Sequence, residues 1–258
     1  MKYFLTITFG LLMLWPNLSK ANTGTVAKAE AQTLLEDLSR HFSNIHTLSY
    51  TAERTTQGRR QASKERWTFA YTTPGFVRVD YQYPTERHLI LTTNALYEYI
   101  PALRRALRTD LAQISDTARQ TTIKQTLARI SLDGINPANF QEMVSRTTSV
   151  TFPSPISNFC RITGNNPKFL LELDRQQKVL LTTDIYTQKN DLLLHSEASK
   201  FVEASPGFWY PQQLDTRYLT DQGFVTTTTM IRDITINTPL TSTLFQFSPP
   251  THVTLETR

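Results

Sequence analysis

From Trp67 to Pro101 apolar side chains recur at every second residue in four short runs, and this pattern constrains the fold more than any other stretch of the chain. The runs are Trp67, Phe69 and Tyr71; Val77, Val79, Tyr81 and Tyr83; Leu89 and Leu91; and Tyr97 and Tyr99. A period of two is that of a strand with one buried face. The breaks fall at Thr73-Pro74-Gly75, Pro84-Thr85 and Thr93-Asn94, where a fixed φ, a missing N–H or a tolerated positive φ suits a reversal of direction. Breaks this short join neighbours in an antiparallel meander, so the stretch predicts four strands sharing one apolar, aromatic-rich face.

That face needs a cover, and the chain supplies one upstream. Ala27, Ala31, Leu34, Leu35, Leu38, Phe42 and Ile45 recur at three- and four-residue steps, which predicts an amphipathic helix over residues 25–45. His41 and His46 bracket its end, where a histidine interacts favourably with the helix dipole. Ahead of it, Lys2 precedes an apolar run from Tyr3 to Trp15 that closes on Ser19-Lys20-Ala21, the pattern of a secretory signal peptide over residues 1–21. Without it the formal charge falls from +5 to +3, because Lys2 and Lys20 leave and no acid does. So small and dispersed an excess argues against a nucleic-acid surface. Cys160 is the only cysteine, so no internal disulfide forms in the oxidising compartment such a signal implies.

Tyr50 to Thr56 predicts a first strand. Beyond Pro101 the cationic run Ala102 to Arg108 is compatible with a strand or a helical turn. Residues 110–130 are loosely helical in spacing, and Asn136-Pro137 reads as the cap and first residue of another short helix. Strand patterns resume over Thr147–Phe152, Phe159–Thr163, Phe169–Asp174, Val179–Thr187, Leu192–Glu203, Gln212–Thr220 and Phe224–Ile236, parted by Gly-, Asn-, Asp- and Pro-rich turns. A segment from Pro239 to Pro250 docks Leu244, Phe245 and Phe247 before a double proline ends the structure. The expectation is a mainly β protein with helices. Its core is a single curved antiparallel sheet of about 11 strands with helices covering the concave face, in one domain over residues 22–258.

Two motifs carry a resemblance. The first is Pro74-Gly75-Phe76-Val77-Arg78-Val79-Asp80-Tyr81 through Pro84, then Leu89-Ile90-Leu91, then Leu96-Tyr97-Glu98-Tyr99 and Pro101. The second is Asn237, then Phe245-Gln246-Phe247-Ser248-Pro249-Pro250 and Val253. In this order they resemble the LolA/LolB-like family of periplasmic lipoprotein carriers, which includes the outer-membrane lipoprotein-sorting proteins. The resemblance implies an incomplete β-barrel whose hollow, capped by helices, holds the acyl chains of a lipid or lipoprotein. It also implies a periplasmic location, a monomer, and a membrane-bound donor or acceptor protein as partner. The chain departs from the family at Thr73, where carriers have an arginine that holds the roof closed, and at Thr93-Asn94, where they turn through Asp-Gly.

On this reading Trp67, Phe69, Tyr71, Val77, Val79, Tyr81, Leu89, Leu91, Tyr97 and Tyr99 line the cavity, and Arg104, Arg105 and Arg108 meet lipid headgroups or a partner. Without the resemblance the same apolar stripe is a core packed on helix 25–45. Glu65, Asp80, Glu86 and Glu98 alternate with the apolar positions and are expected on the solvent side. The five histidines have no metal-ligand spacing, and there is no Gly-x-Ser-x-Gly elbow or phosphate loop, so neither catalysis, a metal nor a cofactor is expected. The expected function is non-enzymatic carriage of lipid or lipoprotein. The alternative is an envelope regulatory or sensor module that binds a protein partner on the same fold.

Overall fold

The computed structural model describes residues 25–58, 62–73, 75–112, 145–152 and 158–257. Helix α1 (Thr25–Ser43) is followed by β1 (Thr47–Gln57), β2 (Ala62–Thr72), β3 (Phe76–Tyr83), β4 (Arg87–Leu91), β5 (Ala95–Ile100) and β6 (Arg105–Asp110). The second run is β7 (Thr147–Thr151), β8 (Phe159–Gly164), β9 (Lys168–Asp174), β10 (Val179–Tyr186), β11 (Leu192–Ser205), β12 (Phe208–Thr220), β13 (Gly223–Ile236) and β14 (Thr254–Thr257). All belong to one open, curved sheet in the order β14-β6-β5-β4-β3-β2-β1-β13-β12-β11-β10-β9-β8-β7. The sheet thus has 14 strands rather than about 11. The excess comes from splitting the cationic run into a 3₁₀ turn (Pro101–Leu103) and β6, and from β14. The helices expected between residues 110 and 144 lie outside the described residues, apart from Asp110, which ends β6, and Leu111 and Ala112.

The sheet is antiparallel except where β14 lies parallel to β6. Its register slips where one strand carries an extra residue, as between Ser49 and Thr51 of β1, where Asp233 of β13 takes a positive φ of 54° and accepts a hydrogen bond from Thr51 Oγ1 at 2.7 Å. Such bulges bend a strand and reset which face its side chains meet. Ile231 and Ile236, five residues apart, consequently lie on one face, opposite Ala52 and Leu48. Gly164 is needed where β8 crosses β9, because a Cβ there would stand 2.2 Å from the Phe169 ring and 2.6 Å from the Arg146 carbonyl.

The face bearing Trp67, called here the inner face, holds the main core. Leu35, Leu38, Phe42 and Ile45 pack into the same cluster as Tyr50, Trp67, Phe69, Val77, Val79 and Leu91 on one side and Leu171, Leu173, Leu214 and Ile231 on the other. Leu38 is wholly buried, and burying a side chain of this size contributes about 1.5–3 kcal/mol. Asn237 fixes the end of α1 from far along the sequence: its amide Nδ2 donates to the Asn44 carbonyl at 2.9 Å, and its Oδ1 accepts from the His46 N–H at 2.7 Å. Both are backbone groups left without a helical partner where the helix stops.

The opposite, outer face has a smaller second core. Ala70, Ile90, Ala95 and Ala106 are buried there, and the chain that follows β13 crosses this face, its 3₁₀ turn (Ser242–Phe245) setting Phe245 against Phe76 and its Phe247 lying against Tyr97 and Tyr99. Arg78 holds this strap, donating from Nη1 to the Leu244 carbonyl at 2.9 Å and from Nε to Asp80 at 2.7 Å. The double proline does not end the structure, because β14 follows it and pairs with the edge of β6.

Candidate functional site

The register settles which predicted wall residues share a face. Trp67 lies opposite Tyr81, Phe69 opposite Val79 and Tyr71 opposite Val77, while Val77 and Val79 lie opposite Leu91 and Leu89. These eight form one continuous inner-face patch over three strands. Tyr97 and Tyr99 do not join them. The turn at Thr92–Asn94 sets Leu91 opposite Leu96, which puts Ile90 opposite Tyr97 and His88 opposite Tyr99, on the outer face under the strap. The turn is closed by Thr92, whose N–H donates to the Ala95 carbonyl at 2.8 Å and whose Oγ1 accepts from the Ala95 N–H at 3.0 Å. Its length decides the parity of β5, and alternation within β5 cannot reveal it.

The inner-face patch is filled by the protein's own side chains. Trp67 is 2% exposed, Val79 0% and Leu91 1%, with Tyr71, Tyr81 and Leu89 packed against the same cluster. Two further side-chain contacts hold the cover. His41 stacks on Phe208 with ring centroids 4.6 Å apart, and Asp37 pairs with Lys178 at 2.9 Å. Burial pushes the His41 pKa below its ordinary 6.5, so stacking on Phe208 rather than a charge at the helix end explains its place. The hydrogen bond from Lys178 holds the Asp37 carboxyl below its ordinary 3.8.

Both shifts act in the same direction. Between the lowered folded value of His41 and 6.5 the unfolded chain binds the proton and the folded chain does not, so stability falls as pH drops through that window. The Asp37 contribution is present above 3.8 and is lost below it. The thermal midpoint is therefore expected to fall as pH is lowered from 7 to 5. His41→Phe, which keeps a ring on Phe208, should flatten that slope in a pH series of melting curves.

Two residues per row toward the other end of the strands, the inner face turns polar. Ala52 lies opposite Trp67, then Arg54 opposite Glu65, then Thr56 opposite Ser63. On the other side of β1, Arg54 lies opposite Thr229 and Thr56 opposite Thr227, which in turn lies opposite Thr216. A cavity of about 250 Å³ opens here across the four adjacent strands β2, β1, β13 and β12. Its walls are Arg54 and Thr56, Ser63 and Glu65, then Thr216, Tyr218 and Thr227.

Arg54 is 13% exposed. Its guanidinium lies 4.9 Å over Trp67, its Nε donates to Thr229 Oγ1 at 3.2 Å, and its Nη1 stands 3.8 Å from the Glu65 carboxylate. A second inner-face pair, Arg87 with Glu98 at 3.7 Å, lies across Tyr81, whose ring carries the Arg87 guanidinium at 4.3 Å. Glu65 and Glu98 thus occupy the inner face, contrary to the expectation from alternation, whereas Asp80 is on the outer face. Burial raises the Tyr218 pKa, so its hydroxyl keeps its proton as a donor. Among the described residues the buried polar side chains are Thr216, Thr227 and Thr229, all beside this cavity.

The predicted arginine cluster is divided. Arg104 is exposed at a positive φ in the turn before β6, Arg105 bridges to Glu256 of β14 at 2.8 Å, and Arg108 lies across from Tyr97 on the outer face, 3.3 Å from Asp110. His88 and His195 are each 2.6 Å from an aspartate, Asp80 and Asp184, on the face opposite the cavity. Cys160 is buried opposite Leu173, and burial pushes its thiol up to about 11, far from the range of a reactive thiolate.

No protein-family model matches the sequence, and no curated protein does. Solved structures do match. A LolA superfamily protein from Nitrosomonas europaea is similar at 14% identity over 84% of this chain and 97% of that one, with a TM-score of 0.53. A DUF1329 family protein from Desulfovibrio piger gives 12% identity, 85% and 97% coverage, and 0.57. A structure described as an outer membrane lipoprotein-sorting protein domain, from Vibrio parahaemolyticus, gives 13%, 83%, 97% and 0.54. With nearly the whole of each relative's chain matched, this protein has the LolA-like fold.

Proposed function

We propose that the protein is a periplasmic, non-enzymatic carrier or binding protein for lipids or lipoproteins, which holds acyl chains between the inner-face patch and α1 as one binding domain. The observation that carries this reading is the kind of cover the patch has. Trp67, Phe69, Val77, Val79 and Leu91 are roofed by a helix whose Leu35, Leu38 and Phe42 fill the hollow. A helix satisfies its own backbone hydrogen bonds, so it leaves a sheet without breaking a ladder. An entering acyl chain then exchanges one apolar partner for another, with each methylene contributing about 0.8 kcal/mol. The Asp37–Lys178 pair resists little, being partly exposed on both sides. The family's closing arginine is replaced by Thr73, so on this reading closure falls to α1 packing and to Asn237.

The test is mass spectrometry of lipid extracted from protein purified from its host, together with titration by a fluorescent fatty acid. Bound lipid and a saturable isotherm are expected. Protein that is empty and does not bind the probe sinks the carrier reading and favours the sensor module.

A further inference from the structure

We propose that the cavity at the polar end of the inner face binds a zwitterionic headgroup of the phosphoethanolamine type, with its phosphate on Arg54 and its ammonium on Glu65. The inference rests on the acyl-chain reading above and adds to it the class of lipid that the hollow selects. Along β1 the inner face passes from Tyr50 and Ala52, both buried, to Arg54 and Thr56, and along β2 from Phe69 and Trp67 to Glu65 and Ser63. Successive inner-face rows are about 7 Å apart. The face is therefore apolar at the α1 end and polar at the other, the division found in an amphiphile.

The charges decide the class of headgroup. Arg54 and Glu65 stand 3.8 Å apart, an ion pair at longer than hydrogen-bond length. A simple anion approaching Arg54 meets the Glu65 carboxylate, and a simple cation approaching Glu65 meets the guanidinium. Each repulsion offsets much of the attraction. A ligand with both charges on a short linker meets an opposite charge at each end. Arg54 is also placed to act. Stacked over Trp67 and held by Thr229, its planar guanidinium is oriented before any ligand arrives, and a pre-set fork suits a phosphate better than a flexible ammonium does.

Around it the hydroxyl-bearing residues Thr56, Ser63, Thr227 and Tyr218 line the same space. Thr216, Thr227 and Thr229 are buried at 4%, 6% and 1% exposure, a concentration of polar groups that an ordinary β core does not need. The cavity's 250 Å³ lies below the roughly 300–1,000 Å³ of sites that enclose a whole small ligand, so it takes a headgroup while the chains lie elsewhere.

The test is calorimetric titration of the purified chain with short-chain phosphatidylethanolamine, short-chain phosphatidylglycerol, free phosphoethanolamine and a fatty acid. The ethanolamine lipid is expected to bind about tenfold tighter than the glycerol lipid, the equivalent of one well-placed charged contact. Arg54→Gln should weaken both lipids about tenfold, whereas Glu65→Gln should remove the preference between them. Ser63→Asp sets a negative charge at an exposed position of the rim, where folding tolerates it. It should weaken both phosphate-bearing lipids and spare the fatty acid.

Equal affinity for the two lipids in the unaltered protein overturns the proposal, as does Ser63→Asp binding like the parent. Free phosphoethanolamine binding as tightly as the lipid reassigns the site to a soluble zwitterion and overturns its lipid part. Fatty acid bound with no headgroup preference defeats this inference and leaves the carrier reading intact. Arg54-dependent phosphoethanolamine binding without any lipid or fatty acid binding defeats the carrier reading and, with it, the lipid part of this inference, and leaves a site for a soluble zwitterion.

Discussion

Leu38→Ala is expected to lower the free energy of unfolding by about 2–5 kcal/mol, the range for a buried leucine cut to alanine in a site that collapses incompletely. Leu38 is wholly buried, lies at the middle of the helix's buried stripe and belongs to the cluster formed with both halves of the sheet. Little can close over the space, because the facing side chains are mounted on a hydrogen-bonded sheet that does not move toward the helix. The second half of the expectation separates a plain core from a cargo site. If acyl chains enter beneath α1, the truncated helix competes less well for the patch. The fluorescent fatty acid should then bind more tightly to Leu38→Ala than to the parent protein, as engineered apolar cavities take up apolar ligands. Urea unfolding reads the first effect and the titration the second. Lowered stability with unchanged or weaker binding would leave the patch an ordinary core.

Phe245→Ala is expected to cost about 3–5 kcal/mol, the penalty for deleting a buried phenylalanine. Phe245 is 5% exposed, although it belongs to a segment with little regular structure. It lies against Phe76 on the outer face, and Arg78 fixes the neighbouring Leu244 carbonyl. Ala70, Ala95 and Ala106 are buried on the same outer face. Loosening it should also free β14, whose parallel pairing with β6 is reached only across the strap. Limited proteolysis is therefore expected to cut Phe245→Ala between residues 240 and 257 under conditions that leave the parent intact. Arg78→Ala should produce a milder form of the same cut. A variant with parental urea midpoint and parental digestion pattern would mean that the strap contributes nothing to the fold.

Much of the architecture was legible because it is local. Period-two alternation marked strands β1 to β5 and β7 to β13, three- and four-residue spacing marked α1, and Gly, Asn, Asp and Pro marked the turns. The eight inner-face residues from Trp67 to Leu91 were identified together because β2, β3 and β4 keep the alternation within each strand. Tyr97 and Tyr99 were misplaced because one turn's length, held by Thr92, set β5 to the opposite parity. Glu98 was misplaced by the same parity of β5, and Glu65, two residues before Trp67, shares the Trp67 face; both stand on the inner face beside arginines, Arg87 and Arg54. The cavity had one sequence signal, the run Thr226 to Thr229, whose alternate members proved to be buried polar groups.

By itself the sequence determined the β meanders and the amphipathic helix ahead of them, because strand and helix periods depend only on neighbouring residues and the geometry of the backbone. It also determined that no disulfide supports the fold, since there is one cysteine. Only the tertiary structure decided which residues meet across the sheet. Register depends on turn lengths and on bulges such as that at Asp233, and both act between residues as distant as Ser49 and Thr235. The polar cavity is of this kind. Arg54 and Thr216 are 162 residues apart, and they line one space because β1, β13 and β12 lie side by side.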